Sequence, residues 1–176
     1  CEAEELVDLA AEKRVINMIA FSYRFVPVMK MLKSIVEKGV LGKIYHVRCH
    51  YLQSWLSSSL VPFNWRLDVG KSDGGVLGDL GAHIFDIAEF ITGRKILRVN
   101  VFCKTFVPQR RDLTLDAKKQ VTVGDGAAIL GEMEEGIFFT AEMSRCVTGR
   151  GNSLVVEING EQGRIIVDVE KPREML

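Results

Sequence analysis

The stretch GGVLGDLGAHIFDIAEFITG, residues 74 to 93, constrains the fold of this chain more than any other. Leu77, Leu80, Ile84, Ile87 and Ile91 recur every three or four residues, which sets them in a narrow arc of one helix. That arc needs an apolar surface to pack on. Asp79, His83 and Asp86 follow at i, i+4 and i+7 and make a second, chemically reactive stripe on its shoulder. Gly74 and Gly75 precede the helix, and Gly78, Gly81 and Ala82 strip bulk from its first turns. Glycine inside a helix costs about 1 kcal/mol relative to alanine, so two in one turn imply that a backbone or a ligand comes close.

The rest of the sequence supplies the surface. KIYHVRCHYL alternates strictly and reads as a strand with Tyr45, Val47, Cys49 and Tyr51 on one face and His46, Arg48 and His50 on the other. After Gly93, residues 96–107 read as a strand, QRRDLTLDAKK as a solvated loop and GDG at 124–126 as a turn. AAILGEME and IFFTAEMSR form a hairpin around EEG, and SLVVEING and RIIVDVE form another. Residues 27–38 are a helix with Val28, Met31, Leu32, Ile35 and Val36 inward, begun at Pro27 and ended by Gly39 and Gly42. Residues 52–73 are loop-like and carry a serine run and the pair Trp65-Arg66. The expected class is α+β, a mixed, mainly antiparallel sheet backed by helices.

The beginning of the chain differs. Residues 2–14 are a short amphipathic helix, and VINMIAF at 15–21 has the length and composition of a strand buried on both faces. Helix feeding such a strand is the tail of an α/β unit, and a parallel strand needs neighbours that this sequence does not supply. With Cys1 in place of Met, this implies a piece of something longer.

Lys plus Arg and Asp plus Glu balance at 23 each in 176 residues, so no overall field favours nucleic acid or an anionic membrane. No apolar run approaches the roughly 20 residues of a membrane span and no signal peptide opens the chain, which points to the cytoplasm. Cys1, Cys49, Cys103 and Cys146 form no C-x-x-C pair; three lie in strand-like segments as expected buried, reduced thiols.

Three readings of the Asp79/His83 stripe stand side by side. His83 is a core-edge histidine bonded to Asp79, with Asp86 an exposed acid. Or the pair chelates a metal, for which no third ligand is evident, so no metal is assigned. Or Asp79 orients His83, which exchanges a proton with a substrate hydroxyl near neutral pH.

Written as G-G-x-L-x-D-x-G-x-H-x-x-D with a closing Gly, residues 74–93 resemble the signature helix of the glucose-fructose oxidoreductase, inositol dehydrogenase and rhizopine catabolism family (Gfo/Idh/MocA). AEELVDLAAEKRV with MIAFSYRFVPVM resembles the end of that family's nucleotide-binding domain and its crossover. GVLGKIYHVRCHY, NWR and INGEQGRIIVD resemble later stretches in the same order. The resemblance implies residues 1–23 as the remnant of a dinucleotide-binding domain and 24–176 as the second domain, cut short at its end. It implies hydride transfer between NAD or NADP and a hydroxyl carbon of a sugar, inositol or related polyol. Asp79 and His83 would be the acid/base pair, Asp86 structural, and Arg24, Trp65 and Arg66 would lie near cofactor or substrate. A homo-oligomer through the open sheet face is expected, with His46, Arg48 and His50 on that face. The alternative is a noncatalytic dimerisation or ligand-binding domain of the same fold.

The departures are specific. No G-x-G-x-x-G follows a strand, so the pyrophosphate of a dinucleotide has no helix N-terminus to rest on. The family's Glu-Lys-Pro motif is absent, and EKP at 170–172 comes in the wrong place. The chain by itself is expected to bind NAD poorly and not to turn over.

Overall fold

The computed structural model describes residues 2–72 and 74–171. Helix α1 (Glu2–Lys13) has Glu2, Glu4 and Glu5 in its first turn and Lys13 in its last, each charge matched to the helix dipole. It buries none of its residues. The strand expected over 15–21 does not form: the run is irregular, and Ile16, Met18 and Ile19 are exposed. Apolar composition makes a two-sided strand possible, but the ladder comes from neighbours, and no described strand pairs with this one.

A short 3-10 turn, Ser22–Phe25, leads into α2 (Pro27–Glu37), where Pro27 occupies the first turn without losing a hydrogen bond. Val28, Met29 and Leu32 are buried and Ile35 and Val36 pack beside them. Met31, expected inward, is exposed, because the stripe centres on Leu32 and the adjacent residue is turned away by about 100°. Strand β1 (Ile44–Gln53) buries Val47, Cys49 and Tyr51. Tyr45 escapes that face because the ladder shifts register between Ile44 and His46.

The remaining elements are a π-helical turn, Leu77–Gly81, running into α3 (Ala82–Thr92), then β2 (Ile96–Lys104), β3 (Gln109–Asp112), β4 (Ala117–Gln120), β5 (Gly126–Met133), β6 (Ile137–Ser144), β7 (Asn152–Gly160) and β8 (Gly163–Asp168). Six strands form one sheet in the order β2-β5-β6-β1-β7-β8. The central pair β1 and β6 is parallel and every other pair in that sheet is antiparallel. One face is covered by α2 and α3, whose Met29, Leu32, Ile84, Ile87 and Ile91 meet Phe139, Met143 and Val156 in one continuous core. The other face carries His46, Arg48 and His50 directly opposite Phe138, Thr140 and Glu142. Phe138 and Leu130 are exposed on it.

Three further expectations change. The segment read as a solvated loop is the β3–β4 hairpin, and its Arg110 is buried, donating to the carbonyls of Leu56 (2.7 Å), Ser58 (2.7 Å) and Val61 (3.2 Å). A guanidinium is tolerated there because its fork closes the turns of the loop it is buried against. GDG does not reverse the chain: Gly126 opens β5, and Asp125 is fully buried, its Oδ2 accepting from the backbone N–H of Phe106 (3.0 Å) and Val107 (3.3 Å). Of the cysteines, Cys49 is buried, and that burial pushes its thiol up to about 12. Cys146 is half-buried, and burial raises it to about 11. Cys103 is exposed, because β2 is an edge strand whose Val99 and Val101 are open too; Cys1 lies outside the described residues. No described helix is long and apolar enough to cross a membrane.

Candidate active site

The first turn of the 74–93 helix is where sequence and backbone are most unusual. Gly75 has φ +56°, and a Cβ there would stand 2.6 Å from the Cβ of Val123. Without one, the backbones meet: Val76 N–H donates to Gly124 O at 3.1 Å and Asp79 N–H to Gly75 O at 2.9 Å. At the other end of the turn, a Cβ on Gly81 would lie 3.0 Å from the Met143 sulfur of β6. The small residues therefore bring this turn down onto the sheet, as their spacing implied. Leu77–Gly81 is a π turn that closes on the bond from Ala82 N–H to Leu77 O. Such turns insert one residue into a helix and gather at functional sites.

The inserted residue changes how Asp79 and His83 face one another. In a regular helix they would be neighbours on one face; here no hydrogen bond joins them among the described residues, and Asp79 Oδ2 lies 3.6 Å from Arg145 Nη1 instead. Asp79 opens on a cleft of about 290 Å³ with Trp65, Arg66, Lys71, Ser72 and Arg145. The Arg66 guanidinium stacks on the Trp65 ring at 4.4 Å, and Asn64 caps this turn by accepting from Arg66 N–H at 3.0 Å. Leu67 anchors the loop, buried against Leu56, Val121 and Val123.

His83 stands at the edge of the same helix in an aromatic box. Its ring centroid lies 5.4 Å from Tyr23, 5.7 Å from Phe21 and 6.0 Å from Tyr51, all near edge-to-face. Nδ1 is buried with no hydrogen-bond partner among the described residues. The two tyrosines share a hydrogen bond of 2.8 Å. Tyr51 donates to Asn152 Oδ1 at 2.6 Å, and Asn152 Nδ2 donates back to Tyr23 at 2.9 Å. Burial of Tyr51 raises its phenol pKa, so it works as a neutral donor.

The structure thus brings Asp79, Trp65 and Arg66 into one cleft, with His83 one turn further along. Arg24 stands apart from the cleft. Its guanidinium is forked onto Asp86, a bond that raises the arginine's pKa, and it lies 5.9 Å from the Phe21 ring. Trp65 is 52% exposed, so it is a surface of the cleft and not core filling. Arg145 and Asp125 are the site residues that reading the sequence missed. The available signal was parity: Arg145 continues the inward alternation of Ile137, Phe139, Ala141 and Met143, and a charged residue at a core position requires a partner.

A model of the GFO/IDH/MocA C-terminal domain matches residues 29–166. Levoglucosan dehydrogenase of Pseudarthrobacter phenanthrenivorans is 29% identical over 99% of this chain and 47% of its own length. The crystal structure of an oxidoreductase domain protein from Kribbella flavida superposes with a TM-score of 0.88 at 38% identity, covering 96% of this chain and 44% of that one. Levoglucosan dehydrogenase in complex with NADH and L-sorbose superposes with a TM-score of 0.92 at 30% identity, over 99% of this chain and 46% of that one. The chain spans about half the length of these relatives. With the family model matching most of the chain and solved relatives superposing on its mixed sheet and two covering helices, the chain belongs to the GFO/IDH/MocA oxidoreductase family.

Proposed function

We propose that this chain is the substrate-facing half of an NAD(P)-dependent oxidoreductase acting on a hydroxyl carbon of a sugar, inositol or related polyol. The observation that supports the reading is the π turn, which sets Asp79 in a cleft walled by Trp65 and Arg66, with His83, its Nδ1 unpartnered among the described residues, one helical turn further along. The described residues fit the reaction side of such a cofactor and not its whole length. A buried histidine nitrogen lacks a partner and a carboxylate opens on a cleft, but no glycine turn leads a strand into a helix to cradle the pyrophosphate. On this reading residues 24–176 are the substrate domain, residues 1–23 belong with the nucleotide-binding part, and the chain alone is inactive.

NAD or NADP, when bound to the complete protein, supplies the hydride acceptor. His83 Nε2 takes the proton of the substrate hydroxyl, and the aromatic box excludes water from its other nitrogen. Asp79 stabilises the resulting positive charge across the site without a direct hydrogen bond, and hydrogen-bonds a second substrate hydroxyl. Trp65 offers an apolar face to a sugar ring, and Arg66, stacked behind it, donates to ring hydroxyls. Arg24 keeps its Asp86-held guanidinium for the cofactor side. The open sheet face, with Phe138 and Leu130 exposed beside His46 and Arg48, supports assembly into a homo-oligomer.

The test joins the chain to its dinucleotide-binding half and follows NADH formation from NAD+ with levoglucosan, L-sorbose and myo-inositol as probes. His83→Ala is expected to lower the rate on the active probe by about a hundredfold or more, the usual contribution of a positioned general base. Turnover within threefold of the native rate, with folding intact, would refute the acid/base role.

A further inference from the structure

We infer that Arg145 is a positioning residue for Asp79, and that Asp125 and the Gly124 carbonyl hold Arg145 in place for that purpose. The inference rests on the reading of Asp79 as part of the active site. The side chain of Arg145 is fully buried, as is that of Asp125, whereas that of Asp79 is 35% exposed to the cleft. One guanidinium therefore bridges an interior carboxylate and a reactive one. Nη2 donates to Gly124 O at 2.8 Å and lies 3.7 Å from Asp125 Oδ1, while Nη1 lies 3.6 Å from Asp79 Oδ2. The Trp55 ring, 5.6 Å from Cζ, closes another side.

This arrangement is more than a buried ion pair for stability. Burial lowers the Arg145 pKa, opposed by Asp79 and then Asp125. Desolvation of a guanidinium is offset only by fixed partners, and removing one partner of a buried pair is costly. Asp125 is itself fixed by two backbone N–H groups, those of Phe106 and Val107. Nε and Nη1 of Arg145 have no hydrogen-bond partner among the described residues. At 3.6 Å the Asp79 contact is an electrostatic restraint with room to tighten, which suits a carboxylate that must reorient toward a substrate hydroxyl. The π turn and Gly75 bring Asp79 to this cation, so the backbone irregularity and the buried charge serve one purpose.

The experiment reads the contact directly and then its consequence. In the chain itself, the guanidinium Nη–H NMR signals of Arg145 are expected to shift and broaden in Asp79→Asn and to stay in place in Asp86→Asn, a carboxylate paired elsewhere. Unchanged Arg145 signals in Asp79→Asn would overturn the inference whether or not a substrate is found. In the complete enzyme, Arg145→Met is expected to lower kcat at least tenfold with little change in KM for NAD+, Arg145→Lys to restore a good part of it, and Arg145→Met to add no further loss to Asp79→Asn. Full additivity of the two substitutions would also overturn it. If Arg145→Met does not fold, Arg145→Lys carries the same comparison. Activity retained in Asp79→Asn would instead sink the functional reading and leave the NMR result standing on its own.

Discussion

The two ends of one helix obey different rules. From Ala82 to Thr92 the helix is regular, and Ile84, Ile87, Ala88 and Ile91 are buried to the last atom against the sheet. From Gly75 to Gly81 it carries three glycines, is wound as a π turn over Leu77–Gly81, and presents a partly exposed acid to a cleft and a buried cation. The regular end maximises apolar burial, worth about 1.5–3 kcal/mol for each such side chain. The irregular end gives up helix propensity and a regular hydrogen-bond ladder, and what it gains is a carboxylate placed against Arg145. Val76 and Leu80 still pack in the core, so what sets this end apart is a departure from local preference that serves a polar side chain, and there function is to be sought.

The largest effect expected from this contrast lies at the regular end. Ile87→Ala should lower unfolding free energy by about 3–4 kcal/mol, since the site is fully packed and cannot collapse around the void. Urea unfolding checks it, and a loss under 1 kcal/mol would mean that α3 is not the core helix described.

Next comes Gly75→Ala. It combines a left-handed backbone with a Cβ placed 2.6 Å from Val123, so about 2 kcal/mol of stability and the shape of the cleft should be lost together. A neutral substitution would show that the backbone contact with Gly124 is dispensable.

A third expectation concerns the open face. Burial, with help from Arg150, lowers the His50 pKa below its ordinary 6.5, against the opposing pull of Glu142 and Asp168. Above pH 6.5 both folded and unfolded chains leave His50 neutral and its contribution is whole. As pH falls below that value the unfolded chain takes up the proton first, and stability is lost until the lower folded value is passed. His50→Gln should therefore flatten the fall in Tm between about pH 7.5 and pH 5.5 relative to the native chain, about one unit either side of an ordinary histidine. An unchanged slope would place the acid sensitivity elsewhere.

The smallest effect is expected at Gly81→Ala. The added Cβ meets the sulfur of Met143, a flexible neighbour 3.0 Å away, and the gain in helix propensity of about 1 kcal/mol offsets the crowding. The two glycines bracketing Asp79 are thus predicted to differ by their surroundings and not by their spacing in sequence.

Much of this was legible in the residues. The alternation in Ile44–Gln53, the hairpin at Glu134–Gly136 and the stripe from Leu80 to Ile91 each announce their element, because period and burial agree. What was not legible depends on partners distant in sequence. Val15–Phe21 has strand composition but no ladder to join. Arg110 sits in a polar run that reads as solvent, and only the fold shows the three carbonyls it serves. In the site, the i, i+4 spacing suggested a direct Asp79–His83 bond. The π turn redirected Asp79 to Arg145, a residue 66 positions away.

The most direct test sets stability and turnover of one variant side by side. Asp79→Asn keeps the shape of a side chain 35% exposed and leaves Arg145 its buried partner Asp125 and the Gly124 carbonyl, so unfolding free energy should stay within about 1 kcal/mol of native. Polyol oxidation by the complete enzyme should fall by about a hundredfold or more. Turnover that survives, or stability and turnover that fall together, would contradict the account and make the irregular end of the helix a packing device after all.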